Sequence, residues 1–385
     1  MTTTLVCTGA CYLDTILRQV SSFSPPSSVP FPRPLFWTRD AHALGRMGVY
    51  ARRTAAYRWS RRSVPHYPDE DSKLRASNIQ VRRGGNCPNT LEVLQQLLRA
   101  EQGARASPKV QPHLVACLPS RDAPATARIV GSFGADSPVG FSRCIFRDED
   151  QEPASSYIIR SSATGSRTLV NYNGLAEMTL AEFVAAAESL GGDDPWFHFE
   201  GRIPVTTLQC MQWLRRAKPK ARVSVEVEKP GREGLEELVA EADVVFFSRS
   251  WAESKLYASA EQCLAAQSAK ARRGSHLFCT WGAQGAACSS PDGATACPAT
   301  QPDQTIRVID TVGAGDTFIA GILFGFLYHE HDWDDQAKLS FAVQLATCKV
   351  QQEGFNGIGF EAFGRLAMAP HRGIPQVEQS GQTRP

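Results

Sequence analysis

In the stretch "VIDTVGAGDTFIAG", residues 308–321, an aspartate, Asp316, follows directly on Gly313, Ala314 and Gly315 and heads a long apolar run. A tight glycine turn that opens a helix aims several backbone N–H groups at one point, and such a point attracts phosphate. A carboxylate aimed at that same point would repel it. The two are compatible if they face different partners. Phosphoryl transfer to an alcohol needs charge neutralised on the phosphate and a base held near the acceptor hydroxyl. The 313–315 amides would meet the first need and Asp316 the second. The same residues also fit a plain glycine-rich helix start, with Asp316 as a first-turn acid favoured by the helix dipole.

Such a turn has to be carried by a scaffold. Runs at 4–9 (TLVCTG), 113–118 (HLVACL), 196–201 (WFHFEG), 222–228 (RVSVEVE), 244–248 (VVFFS) and 276–282 (HLFCTWG) read as strands. Helical patterns at 180–190, 205–217 and 234–242 separate several of them. That alternation predicts an α/β protein with a largely parallel sheet covered by helices on both faces, a three-layer sandwich. Ligands of such a sheet bind beyond the carboxyl ends of its strands. A different pattern appears at 157–172, where "YIIRSSATGSRTLVNY" reads as two strands joined by a turn, and at 74–82, where "LRASNIQVR" alternates with no helix after it. These predict a small antiparallel β lobe, with strands near 10–17, 71–83 and 155–173, that covers a site and excludes water from it.

Composition restricts the function classes. The chain has 385 residues, 42% hydrophobic and 21% charged, enough for one large core with an appended lobe. The apolar run at 318–328 is far shorter than the roughly 20 residues a membrane span needs, and the N-terminus lacks a basic secretory start. The expectation is a cytoplasmic protein without a membrane partner. Eleven scattered cysteines with no CxxC pair indicate neither a disulfide framework nor a zinc site. "HEHD" at 329–332 reads as a solvated loop between two helices rather than a metal site.

Charge is uneven. Residues 18–64 hold nine arginines and one acid, Asp40, so this stretch carries +8 while the chain as a whole carries +2, leaving −6 elsewhere. The stretch has no sustained period of 3.6 or 2. It reads as a disordered insertion, as translated non-coding sequence, or as a basic nucleic-acid arm, for which one irregular segment is weak support. No nucleic-acid partner is expected. The polar tail at 369–385 reads as disordered.

Two spaced motifs carry a family resemblance. "DTVGAGDTF" at 310–318 resembles the C-terminal signature of the ribokinase-like (PfkB) carbohydrate kinases, and "RRGGNCPNT" at 82–90 resembles their N-terminal one. Further strings, among them "GSRTLVNY", "HFEGR", "VSVEVEKP" and "TWGAQGA", are similar to the ketohexokinase branch of that family. The resemblance spans most of 67–358 plus the first strand. It implies a ribokinase-like fold with a β lid, and an ATP- and Mg²⁺-dependent kinase acting on a primary hydroxyl of a ketohexose, fructose to fructose 1-phosphate first. Kinases for another sugar or a nucleoside, or an idle sugar-binding sensor, are the alternatives.

Residue by residue, the resemblance implies that Asp316 is the catalytic base and that Gly313, Ala314 and Gly315 form the anion hole. Asp14, Asp71, Gly85, Asn86 and Asn89 would hold sugar hydroxyls, with Gly84 and Gly85 allowing close backbone approach. Asn86 also fits a helix N-cap, and Asp14 a turn acid. Arg167 would reach the nucleotide phosphates, although a cross-strand partner for a carboxylate is the alternative. Gly282, Ala283, Gln284 and Gly285 would form the adenine-nucleotide loop, or an ordinary turn. Glu226 and Glu228, alternating on one strand, face one side. Either can support magnesium through water, or pair with Lys229 or Arg222. Relatives often pair through the lid, which implies a homodimer.

Two departures stand out. Where many relatives carry an NxxE motif, residues 248–254 read "SRSWAES". Asp14 and Asp71 lie 57 positions apart, and most of that interval is the arginine-rich segment. Removing 18–63 would restore a strand-turn pattern between the two acids.

Overall fold

The computed structural model describes residues 2–18, 70–71, 76, 78–102, 109–160, 167–191, 194–300 and 305–359. Apart from Arg18, the 18–64 segment and the 369–385 tail lie outside the described residues. The strands are β1 (Thr3–Thr8), β2 (Tyr12–Arg18), β3 (Asn78–Gly84), β4 (Val110–Val115), β5 (Cys117–Pro119), β6 (Ile145–Arg147), β7 (Ser155–Arg160), β8 (Arg167–Tyr172), β9 (Trp196–Phe199), β10 (Arg222–Val227), β11 (Val244–Phe247), β12 (His276–Thr280), β13 (Ala286–Ser290) and β14 (Gly293–Cys297). The helices are α1 (Asn86–Gln102), α2 (Pro124–Gly131), α3 (Leu180–Glu188), α4 (Pro204–Ala217), α5 (Arg249–Ser254), α6 (Ala260–Ser268), α7 (Ala314–Tyr328) and α8 (Asp335–Val350).

The chain divides into two compact units. The first comprises Met1–Leu13, Arg82–Ser155 and Tyr172–Pro385; the second comprises Asp14–Val81 and Ser156–Asn171. The first is built on a sheet in the order β14-β13-β12-β11-β10-β9-β1-β4. Its members from β4 to β12 run parallel, and β13 and β14 add an antiparallel hairpin at one edge. The expected strands are present with small shifts. The predicted 113–118 run is divided at Ala116 between β4 and β5, and the predicted 234–242 helix is a 3₁₀ turn over Glu236–Glu241.

Strand alternation builds two cores, because successive side chains point to opposite faces. Leu5 and Cys7 of β1, Phe246 of β11 and Phe278 of β12 pack with α1, α7 and α8. Val6, Phe197, Phe199, Val223, Val225 and Val227 pack on the other face with α3, α4 and α6. On β10 the consequence is uneven. Its three valines fill one core, while Ser224 and Glu226 are buried toward the face that α1 and α7 cover. Pairing of Ser224 with His198 on β9 places three polar residues together in that layer.

Helix starts follow local chemistry. Thr179 and Glu182 form a reciprocal capping box before α3, Pro204 occupies the first position of α4, and Asp334 caps α8. "HEHD" is the connection between α7 and α8, where His329 stacks on Trp333 with centroids 4.0 Å apart. The second unit holds most of a four-stranded sheet in the order β3-β2-β7-β8, antiparallel in character as the alternation predicted. Among the described residues no helix is long and apolar enough to cross a membrane.

Candidate active site

β1 has β9 on one side and β4 on the other, so the strand order reverses at β1 and β9, and the crevice of such a sheet opens at the carboxyl ends there. Glu200 follows β9 at this point. Its backbone N–H donates to Thr8 O at 2.9 Å, and its carboxylate accepts from Ala10 N at 2.8 Å. Gly9 fits only because it lacks a side chain, since a Cβ would stand 2.8 Å from both Cys87 Sγ and a Glu200 oxygen.

The glycine turn of the opening motif is formed as the sequence predicts. Gly313 takes a left-handed conformation (φ 80°, ψ 9°) and precedes α7, and a Cβ there would lie 2.3 Å from the Phe355 ring. Thr317 N and Oγ1 both donate to Gly313 O, at 2.9 and 2.8 Å, which locks the first turn. Asp316 is buried in that turn. Its Oδ2 accepts from Asn89 Nδ2 at 2.8 Å, and its carbonyl accepts from Thr90 Oγ1 at 3.3 Å. The two signature motifs, remote in sequence, therefore meet through the Asp316–Asn89 bond.

Arg83 decides how Asn89 is oriented, a role sequence reasoning did not anticipate. Its NH1 donates to Asn89 Oδ1 at 3.2 Å, which leaves the amide nitrogen for Asp316. Arg83 is itself held by Glu92, by Ser132 Oγ at 3.1 Å and by the Phe133 ring at 4.3 Å. Of the two glycines before α1, only Gly85 is left-handed (φ 106°), and a Cβ on it would sit 2.2 Å from Ala10 O.

Asn86 is the first residue of α1 rather than its cap. Its Nδ2 donates to Glu226 Oε2 at 2.6 Å and to Glu228 Oε2 at 3.1 Å, so the two alternating acids do share a side. Lys229 pairs with Glu228 at 3.1 Å and Arg222 with Glu330, leaving Glu226 without either predicted cation. Glu226 instead takes His198 Nε2 at 3.2 Å. Behind it, Trp196 Nε1 donates to Ser224 Oγ at 2.8 Å, and Ser224 Oγ lies 2.9 Å from His198 Nδ1. An indole can only donate, so Ser224 can pass its own proton to Nδ1, which leaves His198 Nε2–H to donate to Glu226.

Electrostatics at this point are one-sided. Burial, then the Glu226 charge, raises the Asp316 pKa well above its ordinary 3.8, while Asn89 opposes. Burial and Glu228 push Glu226 up to about 8, and burial and Glu226 push Glu200 up to about 7. Burial lowers His198 to about 3, so it is a neutral hydrogen-bonding group rather than a counter-charge. These acids raise one another, and the nearest cations, Lys229 and Arg232 by Glu226 and Arg202 by Glu200, offset only part of that effect. The carboxylate oxygens of Glu226 and Glu228 are the hard donors here that a divalent cation such as magnesium would take, and such an ion would relieve that crowding. Cys87, His198 and Glu226 are, among the described residues, the group of three possible metal donors with atoms within 4.8 Å of one another.

Other expected residues are placed as follows. Gly282–Gln284 form an exposed 3₁₀ turn after β12, at the same carboxyl edge of the sheet. Gly285 is left-handed (φ 93°) and packs on Cys297 O, 1.9 Å from where its Cβ would be. Residues 248–254 give the short helix α5, capped by Ser248, whose hydroxyl donates to Glu228 O at 2.6 Å and ties the helix to the acidic strand end. In the second unit, Asp14 is buried in β2, Asp71 is exposed with φ 59°, and Arg167 opens β8.

A glycine-turn helix with a buried carboxylate, joined to a second Gly-Asn motif at the switch point of a doubly wound sheet, defines a sugar-kinase class of site. The chain belongs to the pfkB family of carbohydrate kinases, whose model matches residues 55–358. It is accordingly an ATP-dependent sugar kinase. The chain is 31% identical to ketohexokinase of Mus musculus over 305 residues, which take in 77% of this chain and 93% of that protein. Among solved structures it is similar in fold to a ribokinase from Giardia lamblia (TM-score 0.66, 12% identity, 96% of this chain and 99% of that one). It is also similar to Arabidopsis thaliana ribokinase complexed with ribose and ATP (TM-score 0.62, 15% identity, 95% and 99%).

Proposed function

We propose that this kinase transfers the γ-phosphate of ATP to a primary hydroxyl of a ketohexose, converting fructose to fructose 1-phosphate. The observation that carries the reading is the Asp316–Asn89 bond: it joins a base of raised pKa to a sugar-binding amide at the mouth of an anion-attracting turn. The likeness to a ketohexokinase supports the choice of sugar.

Asn86, Asn89 and the Gly85 backbone bind the sugar, and the family resemblance adds Asp14 and Asp71 as further partners for its hydroxyls. Directional amide and carboxylate bonds to several hydroxyls disfavour any sugar that leaves one of those buried groups unpaired. Asp316 takes the proton of the attacking hydroxyl, and a carboxyl whose pKa lies well above 3.8 is better matched to that task than an ordinary aspartate. Amides of the 313–315 turn receive the developing phosphate charge. Arg167 and the Gly282, Ala283, Gln284 and Gly285 turn bind the nucleotide. Glu226 and Glu228 would hold magnesium, which when bound would supply charge neutralisation on the phosphates. The lid sheet leaves Ile79, Tyr157 and Val170 exposed by 63%, 50% and 63%. Exposed apolar side chains on these strands support pairing of two copies through the lid.

The test is sugar-dependent ADP release with MgATP across a panel of ketoses, aldoses and nucleosides, with the product's phosphate position read by NMR. Fructose should be the preferred acceptor, phosphorylated at C1. Preference for an aldose or a nucleoside would overturn the choice of sugar while leaving the kinase intact.

A further inference from the structure

Glu226 has two differently occupied oxygens. Its Oε2 accepts from Asn86 Nδ2 at the crevice, whereas Oε1 stands 3.2 Å from His198 Nε2. Strand register places two sulfurs on the same inner side. Cys7 of β1 pairs with His198 of β9, and His198 pairs with Ser224 of β10, so their side chains share one face of the sheet. Cys87, the second residue of α1, packs with Cys7 in the core on that face, and the two thiols are hydrogen-bonded. The ligand atoms of Cys87, His198 and Glu226 all lie within 4.8 Å of one another. None of the four residues, Cys7 included, is more than 2% exposed.

Thiol, imidazole and carboxylate in one buried cluster are the donor types of zinc, and sulfur and imidazole are donors that magnesium leaves aside. Tetrahedral zinc bonds of about 2.0–2.3 Å separate neighbouring donors by about 3.3–3.8 Å. The His198–Glu226 pair already stands near that spacing, and the Cys87 sulfur has only about 1 Å to close. Support behind the imidazole is in place as well: Trp196 Nε1 donates to Ser224 Oγ at 2.8 Å, and Ser224 Oγ lies 2.9 Å from His198 Nδ1. When Nε2 ligates, the imidazole proton moves to Nδ1 and is donated to Ser224, whose two lone pairs then serve both rings. Cysteine spacing along the chain does not show this cluster, because its donors come from β1, α1, β9 and β10.

We propose that Cys7, Cys87, His198 and Glu226 form a zinc site, and that zinc bound there inhibits the kinase. Binding releases the two thiol protons to solvent, and two thiolates and a carboxylate offset the charge of the ion. The ion enters from the crevice, where Asn86 and Glu228 are only half-buried. Inhibition rests on reading Asn86 and Glu226 as parts of the sugar and magnesium site: a Glu226 drawn inward onto zinc releases Asn86 and is no longer open to magnesium.

The test titrates the reduced full chain with Co²⁺ as a spectroscopic probe and then with Zn²⁺. A single equivalent of cobalt should give a thiolate-to-cobalt charge-transfer band and the visible bands of a tetrahedral complex, and zinc should displace both. Cys87→Ser should keep the parent kcat without zinc, weaken the charge-transfer band, and lose more zinc affinity than the roughly 10- to 100-fold that an absent outer-shell partner costs. Cys117→Ser, at a half-buried thiol elsewhere, should bind cobalt as the parent does. In sugar-dependent ADP release with MgATP, zinc should inhibit the parent, a zinc-selective chelator should restore the rate, and Cys87→Ser should resist. Absence of the charge-transfer band from the parent, a result that needs no variant to fold, would overturn the proposal, as would zinc inhibition of equal potency in Cys87→Ser. A tetrahedral complex formed with no loss of kinase activity would instead overturn the inhibition, and with it the reading of Asn86 and Glu226 as working parts of the site.

Discussion

Two glycine turns end up at the carboxyl edge of the same sheet, and they differ in nearly everything except composition. The turn at Gly313 begins with φ 80° and launches α7, a helix of 15 residues whose first-turn amides lack intrahelical partners. The turn at Gly282 begins with φ 62° and yields three residues of 3₁₀ helix before β13. Beneath the first lie a buried ion pair and an aromatic ring. The second exposes Gly282, Ala283 and Gln284, and its last glycine packs on a neighbouring strand. Glycine thus supplies two separate things: a left-handed entry that aims amides at a ligand, and room for a close backbone approach. Only the first turn has both a helix and a brace beneath it, as its proposed phosphate role requires, whereas the second is short and exposed, as its proposed nucleotide role requires.

Substitutions at the two turns should separate these roles. Gly313→Ala should have the largest effect, because an alanine must adopt a left-handed backbone and drive its Cβ into Phe355. Loss of about 10²- to 10³-fold in kcat is expected, checked by steady-state kinetics alongside thermal melting. Gly285→Ala should act chiefly on stability. Its Cβ meets the Cys297 carbonyl as well as an unfavourable φ, for a cost on the order of 1–3 kcal/mol, with kcat preserved in the folded fraction. At Gly282 an added Cβ would meet only Arg249 NH1, at 3.7 Å. Gly282→Ala should therefore cost only about 1 kcal/mol and shift the KM for ATP without changing kcat.

The crowd of acids beside the first turn has no counterpart at the second, and it predicts a pH dependence of stability. Glu226, at about 8 against an ordinary 4.5, and Glu200, at about 7, bind more protons in the folded than in the unfolded chain, so their contribution to stability falls as pH rises through that range. His198, lowered to about 3 from 6.5, contributes the opposite slope, but only below 6.5. Between pH 6.5 and about 8 the His198 slope has gone, and the buried acids, Asp316 among them, set the trend. The melting temperature without magnesium should fall across that window, and Glu226→Gln should flatten the fall. An equally steep fall in the variant would remove Glu226 as its source.

What was legible in the sequence follows from the range of the interactions involved. The 313–316 motif could be read because a left-handed glycine and the helix it opens are set by adjacent residues. The alternation of Glu226 and Glu228 could be read for the same reason, from the two-residue period of one strand. His198 and Arg83 could not. His198 acquires its role from the register that sets it opposite Ser224, and Arg83 from an asparagine six residues on whose other end reaches α7. Nothing in the local sequence around either residue encodes those partners. The β13–β14 hairpin was missed because "AACSS" and "GATAC" have too little hydrophobic contrast to show a period of two. The nearest available clue to the polar seam was Ser224 and Glu226 interleaved with the valines of β10, a strand whose burial on both faces favours an unbroken apolar run.

The comparison of the two turns rests finally on Asp316, the residue only the first turn carries. The decisive measurement is the single-turnover rate of Asp316→Asn with MgATP and fructose, paired with the fructose Kd of the same variant. Loss of a positioned base should slow transfer by about 10²- to 10⁴-fold while the Kd stays within twofold. Transfer at the parent rate would contradict the assignment of Asp316 as the base, and with it the account of why a carboxylate stands at the mouth of an anion turn.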